Sequence, residues 1–199
     1  EEESYDEGTI EGTPLDLDGD GEYDAIAVDL DGDGVEETVL ADTTGDGAVD
    51  TALVDTDGDG VVDTMLVDSD GDGSLDTTIT DETGDGVFDT ATVDIDGDGN
   101  PEMVIADADQ DGNPDLIAYD SDGDGVLDTM EADMNGDGVF DTTFINENGD
   151  DRIDAIAIDE DGDGNPDAVV FDEDGDGVFE TGVIDTDGDG VLDTAVLDV

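Results

Sequence analysis

A thirteen-residue unit runs through this chain from Asp16 to Leu197 without insertion or deletion, and that strict period constrains the fold more than any other feature. Its fourteen copies begin at Asp16, Asp29, Asp42, Asp55, Asp68, Asp81, Asp94, Asp107, Asp120, Asp133, Asn146, Asp159, Asp172 and Asp185, and Asp198-Val199 opens a fifteenth. The clearest copy reads Asp55-Thr56-Asp57-Gly58-Asp59-Gly60-Val61-Val62-Asp63-Thr64-Met65-Leu66-Val67. The period predicts a single repeat array over 16–199. Before it, residues 1–15 read as a degenerate unit or docking segment, in which Gly8 keeps position 6 but Tyr5 stands at position 3.

Acids recur at unit positions 1, 3, 5 and 9 around a glycine at position 6. Taken copy by copy, the candidate ligands are Asp16, Asp18, Asp20 and Asp24; Asp29, Asp31, Asp33 and Glu37; Asp42, Asp46 and Asp50; Asp55, Asp57, Asp59 and Asp63; Asp68, Asp70, Asp72 and Asp76; Asp81, Asp85 and Asp89; Asp94, Asp96, Asp98 and Glu102. They continue with Asp107, Asp109, Asp111 and Asp115; Asp120, Asp122, Asp124 and Asp128; Asp133, Asn135, Asp137 and Asp141; Asn146, Asn148, Asp150 and Asp154; Asp159, Asp161, Asp163 and Asp167; Asp172, Asp174, Asp176 and Glu180; Asp185, Asp187, Asp189 and Asp193. Thr44 and Thr83 replace the acid at position 3 in two copies and keep an oxygen there. The copy at Asn146 departs furthest, with Asp151 in place of the glycine and Arg152 beside it, where the guanidinium stands in for a cation's charge.

Short acids at alternating positions of a tight loop converge on one point, and calcium takes six to eight oxygens in irregular geometry. Glycine at position 6 allows the positive φ that bends such a loop around an ion. The expected cofactor is therefore Ca2+, about one per repeat, over magnesium with its near-ideal octahedron. The spacing matches the EF-hand loop at positions 1, 3, 5, 6 and 9. Position 12, the bidentate glutamate of an EF-hand, is apolar here, as at Leu40, Leu53 and Leu66. Position 9 must then bind directly, and the flanks need not be helices.

The run Asp-x-Asp-Gly-Asp-Gly-x-x-Asp resembles the DxDxDG calcium loops of integrin-type FG-GAP repeats, most closely at Gly112-Asn113-Pro114-Asp115-Leu116-Ile117-Ala118 and Gly164-Asn165-Pro166-Asp167-Ala168-Val169-Val170. It is also similar to thrombospondin type 3 repeats. The resemblance covers the loops only. FG-GAP propellers carry one loop per multi-stranded blade, and type 3 repeats carry cysteines that this chain lacks. It implies a calcium-dependent, extracellular, structural or adhesive role.

Charge sets the main physical problem. The chain holds 66 acidic residues and one basic residue, for a formal charge of −65. Two like charges 4 Å apart cost about 1 kcal/mol in water and more near a protein surface. Without counter-ions such a polyanion should not fold. Nucleic acid and anionic membranes are excluded as partners by repulsion. No apolar run approaches the roughly 20 residues of a membrane span. With no cysteine there is no disulfide framework and no thiolate metal site. An extracellular or cell-surface location, with any leader removed, is expected.

After each loop comes a short segment rich in Thr, Val, Ile and Leu, residues that suit a pleated surface. Positions 8 to 13 read as a strand of about six residues, near 20 Å long. Two all-β arrays fit strand, loop, strand, loop. In a β-solenoid, loops stack about 4.8 Å apart; in an antiparallel meander, each loop is a hairpin turn and same-edge loops lie about 9.6 Å apart. A loop that supplies its own ligands suits the wider spacing, so the meander is favoured. Apolar residues occupy both side-chain sets of each strand, so the sheet is expected to coil on itself or to pack on other copies. The last unit runs to Ala195-Val196-Leu197-Asp198-Val199 without a polar cap, and bare strand edges invite pairing.

The expected protein is a calcium-stabilised extracellular structural subunit that self-assembles head to tail into a filament, stalk or surface fibre. The alternatives are a calcium-dependent adhesion module that binds glycan, and a mineral- or ice-binding surface built on the position-10 threonines Thr38, Thr51, Thr64, Thr77 and Thr90. An enzyme is not expected, because repeated identical acid sets are ligands, whereas catalysis needs one tuned acid and one tuned base.

Overall fold

Each repeat folds as one strand and one nine-residue loop. The computed structural model describes residues 12–150 and 152–197. Most of the degenerate N-terminal unit, Asp151 and Asp198-Val199 lie outside those residues. The chain divides into two units, Glu1–Phe88 and Asp89–Val199. The first contains β1 (Thr13–Leu15), β2 (Ala25–Val28), β3 (Thr38–Ala41), β4 (Thr51–Val54), β5 (Thr64–Val67) and β6 (Thr77–Thr80). The second contains β7 (Thr90–Val93), β8 (Met103–Ala106), β9 (Leu116–Tyr119), β10 (Thr129–Ala132), β11 (Thr142–Ile145), β12 (Ala155–Ile158), β13 (Ala168–Phe171), β14 (Thr181–Ile184) and β15 (Thr194–Leu197). There is no helix among the described residues, and so none long and apolar enough to cross a membrane.

Within each unit every strand pairs antiparallel with its sequence neighbours, in a meander and not a solenoid. The decayed N-terminal unit still supplies a strand, since Thr13–Leu15 pairs with Ala25–Ala27. Among the described residues no strand touches another face to face inside a unit, so their strands do not coil back on one another there.

The strands are shorter than the spacing suggests: four residues, positions 10 to 13. Position 8 falls in the loop, and Tyr23 there is 72% exposed. Position 9 continues the ladder through its backbone alone. Its N–H closes its own hairpin, as from Asp50 to the Ala41 carbonyl at 3.0 Å. Its carbonyl accepts the N–H of position 1 two repeats on, as Asp24 does from Asp42 at 2.8 Å. Successive loops therefore alternate between the two edges of the sheet. Loops 1 (16–24), 3 (42–50) and 5 (68–76) share one edge; loops 2 (29–37) and 4 (55–63) share the other.

The register opposes position 10 to 13 and position 11 to 12: Thr38 to Val54, Val39 to Leu53. Opposed residues share a face, so each unit position changes face from one strand to the next. One row across the first unit runs Ala27, Val39, Leu53, Met65 and Ile79; the row on the other face runs Ile26, Leu40, Ala52, Leu66 and Thr78. In the second unit Ala118, Met130, Phe144, Ile156 and Val170 form an apolar row. Both faces therefore carry apolar residues, though the row opposite this one includes Glu131 and Thr143. The threonines Thr38, Thr51, Thr64 and Thr77 alternate between faces and form no single array. Burial is thin: the buried apolar residues are small, such as Ala25, Ala52 and Ala118, and among the described residues no large side chain is fully buried.

Thr38, between Val28 and Val54, is buried with its hydroxyl lacking a hydrogen-bond partner. An unsatisfied buried hydroxyl is costly, and valine has the same shape without it. Thr38→Val is expected to raise stability by about 1 kcal/mol, read as an increased urea midpoint at saturating calcium.

Candidate metal centre

Loop 4 shows how each loop is built. The Asp55 carboxylate at position 1 accepts the Gly58 N–H on one oxygen and the Gly60 N–H on the other, both at 2.8 Å. Asp57 accepts from the Asp59 N–H at 3.1 Å, and Asp59 from the Val61 N–H at 2.8 Å. Asp63 at position 9 reaches back to the start of the loop and accepts the Thr56 N–H at 2.7 Å and its hydroxyl at 2.6 Å. The chain can bend twice around Asp55 because Gly58 and Gly60 adopt φ of 76° and 91°, a region that L side chains disfavour. The same bonds from position 1 to the glycines at positions 4 and 6 recur at Asp16, Asp29, Asp42, Asp68, Asp81, Asp94, Asp120, Asp133, Asp159, Asp172 and Asp185.

These turns bring the acids together. In loop 2 the carboxylates of Asp29, Asp31, Asp33 and Glu37 converge with ligand atoms within 4.8 Å of one another, and in loop 13 (172–180) Asp172, Asp174, Asp176 and Glu180 do the same. In loops 1, 4 and 5 the convergent sets are Asp16, Asp18 and Asp24; Asp55, Asp57 and Asp63; and Asp68, Asp70 and Asp76. Position 5, at Asp20, Asp59 and Asp72, stays outside them, with a carboxylate oxygen on the position-7 amide. Both of these four-carboxylate sets carry glutamate at position 9. Five further sets of three or more acids occur in the described residues, so several acidic clusters in this chain could hold a metal ion.

The asparagines behave differently from the expected ligands. In loop 10 (133–141) the Asn135 side-chain N–H donates to Asp141 at 3.0 Å, and in loop 11 (146–154) that of Asn148 donates to Asp154 at 2.9 Å. There the amide satisfies the position-9 carboxylate without adding charge to the loop. Arg152 stands at position 7 of loop 11. Its guanidinium reaches across to loop 13 and donates to the Gly175 carbonyl.

Loop 8 (107–115) is irregular at position 4. Gln110 holds a φ of 61°, the one positive value at a non-glycine residue among those described. Its side-chain amide donates to Asp89 at 2.6 Å. One oxygen of Asp107, matching the oxygen that takes the position-4 N–H elsewhere, is buried without a hydrogen-bond partner.

Two contributors escaped the sequence reading. One is the glycine at position 4, which carries as much of the bend as the glycine at position 6. The other is the hydroxyl at position 2, where Thr43, Thr56, Ser69, Ser121 and Thr186 clamp the position-9 carboxylate. Recurrent Thr and Ser at position 2 was the available signal.

The clamps lower carboxyl pKa values. Hydroxyls of Thr43, Thr56, Ser69 and Ser121 hold Asp50, Asp63, Asp76 and Asp128 below the ordinary carboxylate range. At Asp81, Asp133, Asp172 and Asp185 burial pushes upward, but amide N–H bonds, led by those from the position-6 glycines, outweigh it. A carboxyl whose pKa is depressed on folding stabilises the fold above its unfolded pKa and loses that contribution as pH falls through the folded value. Acidification from neutral pH should therefore leave the calcium-loaded β signal intact until below about pH 4, the unperturbed aspartate value. Circular dichroism against pH at fixed calcium checks this.

Comparison with protein-family models, curated proteins and solved structures finds no match to this chain. Fold and loops together define an all-β tandem-repeat protein whose hairpin turns are clusters of carboxylates suited to a metal ion.

Proposed function

We propose that this is a calcium-stabilised extracellular structural protein whose copies self-associate into a filament, stalk or surface fibre. The observation that carries the reading is the convergence of carboxylates in loop after loop of the same design. The donors are all oxygen, in a chain without cysteine or histidine, and this set suits a hard cation. Irregular groups of three and four carboxylates suit calcium better than magnesium. The partnerless buried oxygen of Asp107 fits the same reading, since a buried carboxylate oxygen is tolerable when a cation meets it. Fourteen divalent ions, one per loop, would take the formal charge from −65 to −37. Extracellular calcium modules bind at roughly 0.1–1 mM, matching sites built from exposed loops. The sequence resemblance of the loops to FG-GAP calcium loops points to the same role.

Self-association is supported by apolar rows on the sheet, such as Ala118, Met130, Phe144, Ile156 and Val170, that no strand of the same unit covers. The remaining negative charge favours ordered over random contact. Negative-stain microscopy with calcium and with EGTA tests the proposal: straight fibres that vanish on chelation are expected. Monodisperse particles in both conditions would turn the reading toward a monomeric adhesion module.

A further inference from the structure

We infer that ion binding is coupled along each edge of the sheet, between repeats n and n+2, and not between repeats adjacent in sequence. This rests on the calcium reading above. The link is one residue with two duties. The side chain at position 9 belongs to the carboxylate cluster of its own loop, and its backbone carbonyl accepts the N–H of position 1 in the next loop on the same edge. In the second unit this bond joins Asp115 to Asp133 at 2.9 Å, Asp141 to Asp159 at 2.8 Å and Asp167 to Asp185 at 2.8 Å along one edge. It joins Glu102 to Asp120 at 3.0 Å, Asp128 to Asn146 at 2.7 Å and Asp154 to Asp172 at 2.9 Å along the other. Holding position 9 on an ion thus fixes the acceptor that places the first ligand of the next loop.

A second contact follows the same path. At some steps the position-7 side chain lies over a glycine of the next same-edge loop: a Cβ on Gly125 would stand 3.1 Å from the Asn100 amide, one on Gly190 3.2 Å from that of Asn165, and one on Gly162 of loop 12 3.7 Å from Val139 of loop 10. Arg152 spans the same step from loop 11 to Gly175 of loop 13. Loops adjacent in sequence share neither contact, because a strand separates them and they sit on opposite edges.

Electrostatics opposes the coupling, since a filled neighbour attracts the next ion less. At a same-edge spacing of about 9.6 Å, longer than the Debye length of about 8 Å at physiological salt, that effect is on the order of twofold in affinity. Ordering worth one net hydrogen bond is about fivefold, so positive coupling wins.

The test uses the full chain with Met134→Trp in loop 10, a residue 70% exposed whose N–H donates to Asp141; the protein has no other tryptophan. Its fluorescence reports calcium at that loop. Loop 12 (159–167) is weakened by Asp161→Asn with Asp163→Asn, which leaves it with the formal charge of an ion-filled loop, so that charge is matched. Loop 9 (120–128) is weakened by Asp122→Asn with Asp124→Asn. The loop 12 pair is expected to raise the calcium midpoint at loop 10 about fivefold at 0.15 M salt, and the loop 9 pair by less than about twofold. If loop 10 responds to calcium but the loop 12 pair leaves its midpoint in place, or the loop 9 pair moves it equally, the coupling is wrong and the calcium reading stands. If loop 10 gives no calcium response in the parent, the calcium reading falls and takes the coupling with it.

Discussion

Stripped of divalent ions at low ionic strength, the chain is expected to lose most of its β circular dichroism, and added calcium is expected to restore it steeply. Loop 2 shows why. Asp29, Asp31, Asp33 and Glu37 converge with ligand atoms within 4.8 Å. Each pair of like charges at that separation costs about 1 kcal/mol even at the dielectric constant of water. The pairwise repulsions of one loop thus rival a large part of the roughly 5–15 kcal/mol that holds a domain together, and the design recurs along the chain. Burial offers little in return, because the buried apolar side chains are mostly alanines. Ligands that bind the folded chain alone stabilise it by mass action, and many linked sites sharpen the response. High salt should partly substitute for calcium by screening. An unchanged β signal after complete demetallation at low salt would remove the basis for the proposed function.

Asp120→Ala in loop 9 is expected to cost about 2–4 kcal/mol at saturating calcium. Asp120 is 7% exposed and accepts the N–H of Gly123 at 2.7 Å and of Gly125 at 2.8 Å. Alanine leaves both donors without their acceptor and deletes a candidate ligand. Asp120→Asn keeps one oxygen and should lose about half as much. Asp124→Ala, at exposed position 5, gives up a single bond from the Val126 N–H and should cost under about 1 kcal/mol. Urea midpoints at fixed calcium rank the three. Equal losses for Asp120→Ala and Asp124→Ala would show that position 1 does not organise the loop.

Much of the site could be read from residue spacing. The acids at positions 1, 3 and 9 converge as expected, since their geometry is set within nine residues of chain. The spacing left a solenoid and a meander open with the meander favoured, and the strand pairing decides for the meander. Position 5 departs in loops 1, 4 and 5, where the convergent sets hold positions 1, 3 and 9 alone. The asparagines depart because an amide presents either an oxygen or an N–H, and the neighbouring Asp141 or Asp154 decides which. Arg152 departs because its long side chain samples the next loop on its edge, twenty-odd residues away in sequence.

By itself, then, the sequence determined the repeat and the acidic loops, because both depend on residues inside one thirteen-residue unit. Tertiary structure alone decided which residues share a face and which loops share an edge. Those depend on strand pairing: opposing position 10 to 13 swaps the faces at every repeat, and antiparallel turns send neighbouring loops to opposite edges. No spacing within a unit encodes either outcome, because both arise from hydrogen bonds between one repeat and the next.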